Sequence, residues 1–141
     1  MKYFKTLLVL VALFTVGTVN AQNSKLTGKS YTFVMKDAVN GGDEIFDTFT
    51  FDADKVVSQN YSKSGFTSSK IIEKQGGNVT NFEVTLKSDT EGSRLYRGRV
   101  EGNTIDGTII ITDKSGNQVT FAFRGMTSEE WNKTLEMKKG K

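Results

Sequence analysis

The sequence predicts an all-β fold: an eight-stranded antiparallel meander barrel with a short C-terminal helix. Three observations carry that expectation. From Lys29 to Arg124 apolar residues recur at every second position, the period of a strand with one dry face. Clusters of Gly, Asn and Asp separate the alternating runs at short intervals. Only the segment after Gly125 changes to helical spacing.

The strands follow in order. "SYTFVMK" places Tyr31, Phe33 and Met35 on one face, and the loop "DAVNGGDE" ends it. "IFDTFTF" aligns Ile45, Asp47, Phe49 and Phe51. "KVVSQNYS" is third, and "FTSSKIIEK" after Gly65 is fourth. The break Gly76–Gly77–Asn78 precedes "NFEVTLKS", where Phe82, Val84 and Leu86 alternate with Glu83, Thr85 and Lys87. "SRLYRGRV" is sixth, and "TIDGTIIIT" is seventh with Ile105, Gly107, Ile109 and Ile111 on one face. After "DKSGNQ", "VTFAFR" is eighth, with Val119, Phe121 and Phe123 expected inward. Gly98 and Gly107 mark places where a strand bends or another segment comes close.

Strands with one dry and one wet face close into a barrel or fold into a two-sheet sandwich. Short sequential connections favour the meander, and closure removes exposed edges. The barrel is therefore the expectation and the sandwich its alternative. At the end of the chain, Thr127 and Glu130 in "MTSEEWNKTLEMKK" have capping-box spacing, with Met126 and Trp131 placed as a hydrophobic staple. The helix is expected over about residues 128–138, with Trp131 against the barrel's outside or over one end.

The N-terminus reads as a secretory signal peptide, residues 1–21. Lys2 and Lys5 precede the apolar run "LLVLVALFTV", and Val19 and Ala21 occupy the −3 and −1 positions of a cut before Gln22. That run is too short for a membrane anchor. With no cysteine to lipidate, the exported chain is expected to be no lipoprotein, periplasmic or extracellular, and without a membrane span after cleavage. Residues 22–141 then form a single domain.

Lys2 and Lys5 leave with the leader, so 17 basic residues face 16 acidic ones and the net charge falls from +3 to +1. That balance argues against nucleic acid as a partner. Without histidine or cysteine, Ser-His-Asp and Cys-His catalysis and His- or Cys-based zinc sites are excluded. No phosphate-binding or dinucleotide motif appears. "DADK" (Asp52, Asp54) lacks the glycine and glutamate of a calcium loop. Nothing in the spacing brings two of the carboxylates Glu44, Asp47, Glu73, Glu83 and Asp106 together. No catalytic residue, metal or cofactor is assigned, and the chain is expected not to be an enzyme. The three N-x-[ST] matches at Asn60, Asn78 and Asn132 are treated as chance.

Candidate binding residues are the aromatics of the inward faces: Tyr31, Phe33, Phe49, Phe66, Phe82, Tyr96 and Phe123. They either line an apolar pocket or fill the barrel. Asp47 joins them because alternation puts it beside Phe49 and Phe51. A carboxylate there needs a partner, for which Arg97 or Arg99 is a candidate, unless Asp47 lies at a strand end in water. Arg94, Arg97 and Arg99 read as a basic strand face.

The exported chain, the meandering strands and the closing helix together resemble the lipocalin or broader calycin plan, with Arg124–Gly125 before the helix. Where lipocalins carry G-x-W, this chain has Gly28, Lys29 and Ser30, with Tyr31 the nearest aromatic. The resemblance implies a cup holding a small apolar molecule. Separately, "DTFTF" (Asp47 to Phe51), Ser58, Gly65–Phe66, Ser88, Gly92 and "YRGRVEGNTIDGT" (Tyr96 to Thr108) resemble small secreted bacterial proteins of uncharacterised function, which implies a shared β fold and no activity. The leading expectation is a non-enzymatic binding protein holding a small apolar or amphipathic ligand inside the barrel. The alternative is a filled barrel or sandwich acting through its surface as an envelope-associated interaction module, its protein partner left open.

Overall fold

The computed structural model describes residues 24–141. The expected leader, residues 1–21, and its cleavage site lie outside the described residues. Nine antiparallel strands form one sheet: β1 (Ser30–Asp37), β2 (Gly41–Asp52), β3 (Lys55–Ser58), β4 (Thr67–Ser68), β5 (Ile72–Gly76), β6 (Val79–Ser88), β7 (Gly92–Glu101), β8 (Thr104–Thr112) and β9 (Gln118–Thr127). Helix α1 (Ser128–Lys139) follows. Consecutive strands pair with one another from β5 to β9, and β1 pairs with both β2 and β9. The result is a nearly closed meander barrel with one C-terminal helix, as the alternation predicts.

The expected fourth strand is in fact two short ones. β4 pairs with β6 at Thr67–Lys87 and Ser68–Leu86, and β5 resumes at Ile72–Glu83. Between them Ile71 turns inward and is buried, and its amide donates to the Asp54 carbonyl at 2.7 Å. The chain therefore detours towards β3 at the one place where the sheet is not laddered. The third strand also ends early, at Ser58, and a short 3-10 turn over Ser62–Ser64 replaces its expected tail.

Inside the barrel the inward faces meet in a single core running from Leu26 through Tyr31, Phe33, Phe51 and Phe82 to Ile109. Two glycines make room for it. Gly98 and Gly107 are cross-strand partners, and a Cβ on either would collide with the Phe82 or Phe123 ring. These rings approach bare backbone closely, which glycine inside a strand permits. Alternation overreaches at the ends: Ile45 and Val119 share parity with the core but are 41% and 42% exposed.

Thr127 caps α1, its hydroxyl accepting from the Glu130 amide at 3.4 Å. The reciprocal half of the capping box is missing. The Thr127 amide donates instead to the Asn103 carbonyl, and the Glu130 carboxylate meets Lys133. The helix lies along the outside of the barrel. Its Ser128 hydroxyl bonds Thr32 of β1, and Trp131 packs on Phe46 of β2 with ring centroids 5.8 Å apart.

Candidate functional site

Six of the eight candidate residues form one aromatic network in the barrel's centre. Phe33 touches Phe49 at 5.0 Å and Phe123 at 4.9 Å between ring centroids, and Phe49 meets Tyr96 at 4.6 Å. Phe51, not among the candidates, links Tyr31 at 6.0 Å to Phe82 at 5.4 Å. Most pairs meet edge to face, the arrangement ring quadrupoles favour. Tyr31, Phe33, Phe49, Phe82, Tyr96 and Phe123 are all buried. Together with Phe51 they pack into the same buried core as Leu26.

The network leaves two hydroxyls stranded. Tyr31 Oη and Tyr96 Oη are buried and find no hydrogen-bond partner among the described residues. An unpaired buried hydroxyl costs roughly 1–3 kcal/mol. Burial alone pushes the Tyr31 phenol up in pKa; that of Tyr96 is pushed up strongly, first by burial and then by Tyr61 and Asp47, against the lowering influence of Arg94.

Asp47 also points inward and is 3% exposed, so the reading of a strand end in water does not hold. Its partners are not the arginines. Oδ2 accepts from Ser58 Oγ at 2.6 Å, while Oδ1 accepts the amides of Thr48 at 2.8 Å and Asn60 at 3.0 Å. Burial raises its pKa, and these hydrogen bonds oppose the rise in part. Ser58 Oγ in turn accepts the Tyr61 amide at 3.0 Å. Asp47 thus pins the Ser58–Tyr61 turn and sets Tyr61 over the barrel mouth, where its hydroxyl reaches Met35 Sδ at 3.7 Å.

The arginine row divides between two faces. Arg97 pairs with Glu83 at 2.8 Å and Arg99 with Asp106 at 3.0 Å, both on the outside and half-exposed. Such pairs contribute little to stability. Arg94 has the parity of Tyr96 and turns the other way. Its guanidinium carbon stands 3.9 Å from the Tyr61 ring centroid and 4.9 Å from that of Phe66, the eighth candidate. Its Nε is buried and has no hydrogen-bond partner among the described residues. The three arginines therefore do not form a single basic face. Strand parity alone, Arg94 with Tyr96 and Gly98, carried that signal.

Outside the barrel, α1 and the Asp47-pinned turn border a groove of about 480 Å³. Phe46 and Trp131 form its apolar side, and Gln59, Asn60 and Asn132 add side-chain amides. Of the lining residues only Asp47 was singled out from the sequence as a binding residue; Phe46, Gln59, Asn60, Trp131 and Asn132 were not. Phe46 falls on the wet parity of β2, and the turn at 59–61 was read as strand.

Comparison of the chain with protein-family models, with curated proteins and with solved structures finds no match.

Proposed function

We propose that this chain is an exported, non-enzymatic binding protein, a filled barrel that acts through its outer surface as an envelope-associated interaction module. One observation carries the reading. The candidate aromatics pack on one another in the interior, while Phe46 (52% exposed), Val57 and Leu135 display apolar surface outside. Export rests on the N-terminal leader pattern, and action by binding rests on the missing histidine and cysteine.

The test is to place a photo-crosslinking amino acid at Phe46, Val57 or Val119, with Phe123 as the interior control, and illuminate the intact host. Adducts at one or more surface positions and none at Phe123 are expected. Adducts at none of the surface positions would overturn the reading.

A second reading, a small amphipathic ligand entering at the Arg94 end, is favoured by the unpaired Tyr96 hydroxyl and Arg94 Nε. Such a ligand would supply the acceptor that both groups lack. Native mass spectra of the gently purified protein distinguish the two. A bound molecule lost on denaturation supports the second, and a bare chain the first.

A further inference from the structure

Five surface features compete for a more specific role. The seam cleft between β3 and β5 mixes Lys25, Lys70, Asp54 and Glu73 and presents no consistent chemistry. The hollow over Gly98 and Gly107 is flanked by Arg97–Glu83 and Arg99–Asp106, which already neutralise each other. The hollow between β3 and β4 has Phe66 as its one aromatic lining residue among those described, and that ring is buried. The apolar hollow at Met126 and Ile105 lies on the other side of Trp131 and offers little to orient a guest. The groove between Phe46, Trp131 and the Gln59–Asn60 turn is different, because its groups belong to one kind of recognition.

We propose that this groove is a binding site for a neutral saccharide. The inference rests on the surface-acting reading above and names the class of its ligand. Phe46 and Trp131 rings meet at 68° on the groove's apolar side, and the Phe46 ring is half-exposed. A pyranose ring has an apolar face of axial C–H groups that stacks on an aromatic surface and a rim of hydroxyls that requires hydrogen bonds. The rim is provided for here. Asn60 Nδ2 donates to the Phe46 carbonyl, which holds the amide in place and leaves Oδ1 as an acceptor with no bond to another described residue. The Gln59 and Asn132 side chains, each carrying both a donor and an acceptor, bond no other described residue. Thr48 adds a hydroxyl.

Charge supports the same class. Among the described residues the single ionisable one lining the groove is Asp47, and its carboxylate is turned inward and taken up by Ser58, Thr48 and Asn60. An anionic ligand would find no cation among the lining residues, and a cationic one no free carboxylate. An apolar side with a few convergent polar groups is the usual makeup of a small-molecule site. Asp47 takes a positioning role here: by pinning the turn from inside the barrel it sets Asn60 opposite the helix.

Trp131 is the chain's only tryptophan, so its fluorescence reports on this groove directly. The full chain, purified as its host processes it, is titrated with maltotetraose, cellotetraose and the tetramer of N-acetylglucosamine. A polygalacturonate and a leucine-rich tetrapeptide serve as charged and apolar comparisons. A saturable change in Trp131 emission with at least one neutral sugar is expected at millimolar concentration, and with neither comparison.

Phe46→Ala and Gln59→Leu should each weaken that affinity about tenfold. Both positions are exposed, so circular dichroism should stay that of the parent. No response to any neutral sugar would overturn the proposal, as would an equal response to polygalacturonate or to the peptide. Surface crosslinks persisting without a sugar response would remove the saccharide and keep the surface-acting reading. Loss of both would remove both.

Discussion

β6 and β7 stay in register from Val79–Glu101 to Ser88–Gly92 without a break, and β8 and β9 continue the same ladder. On the opposite side, β2 and β3 pair only from Phe49–Ser58 to Asp52–Lys55, and β3 meets its next neighbour through isolated hydrogen bonds. Both regions use alternating sequence and both bury apolar side chains. They differ in what holds them: the long wall is fixed by continuous backbone pairing and ring-on-glycine packing, the seam by single side-chain contacts over Phe66 and Ile71. Errors of volume should therefore be costly in the wall, and losses of one polar atom should be felt at the seam.

The largest expected effect comes from adding one methyl to the wall. In Gly107→Ala the new Cβ would crowd the Arg97 carbonyl oxygen and the Gly98 Cα, both backbone atoms of a paired strand that cannot swing aside. Overpacking of this kind costs about 3 kcal/mol. Gly76→Ala, on β5 beside the seam, meets nothing within 4 Å. It should change stability by no more than about 0.5 kcal/mol. Urea unfolding of the two variants checks the contrast, and similar midpoints would abolish it.

Asp47 holds the seam side from within the barrel, and removing it should come second. Asp47→Ala leaves the Ser58 hydroxyl and the Thr48 and Asn60 amides without their acceptor, a loss of about 2 kcal/mol. Asp47→Asn keeps an acceptor in place without a buried charge and should be tolerated.

The pH dependence follows from the raised pKa of Asp47. A folded-state pKa above the unfolded value means the native state holds its proton longer. The associated stability is fully present below the ordinary value of 3.8 and is lost as pH rises through the raised value. The surface carboxylates Asp37 and Asp113, lowered by amide and side-chain hydrogen bonds, act oppositely and lose their contribution as pH falls. The stability of Asp47→Asn relative to the parent should therefore increase from acid towards neutral pH. Unfolding midpoints across that range measure it, and a constant difference would contradict the assignment.

The wall was legible in the sequence because its strands are long and their parity is consistent. Phe82, Val84 and Leu86, or Ile105, Gly107 and Ile109, place themselves on one face with no further information. The seam was not, because its strands are too short for periodicity to register. "FTSSKIIEK" holds two strands and a buried Ile71 between them, and the break is set by a hydrogen bond to Asp54 that sequence spacing does not reveal. Among the candidate site residues the inward aromatics were readable as a class. Whether rings line a space or fill it depends on their packing angles, which alternation does not specify. Asp47 was found by parity, but its partners were not: Ser58 closes β3 with no spacing signal that ties it to Asp47, and Asn60 comes from a turn that was read as strand. Arg94 was grouped with Arg97 and Arg99 by charge, although its parity set it apart.

The smallest effect tests the seam itself. Ser68 Oγ accepts the amide of Val56 at 3.0 Å and donates to the Ser69 carbonyl at 2.7 Å. It is one of the few groups tying β3 to β4, and Val56 is buried behind it. Ser68→Ala would strip the Val56 amide of its protein acceptor. A hollow between β3 and β4, lined by Val56 and Ser68, lets water reach that amide, so the loss should be near the lower end for a buried donor, about 1 kcal/mol. Little of this should appear in global unfolding, because the ladders from β6 to β9 do not depend on it. Hydrogen exchange separates the two regions. Amides of Val56 and Ser58 should lose protection in the variant while those of Ile105 and Ile109 keep theirs, as expected of a region that opens below the global unfolding free energy. Equal loss along β8 would mean that seam and wall open as one unit, and the contrast between them would then belong to geometry alone.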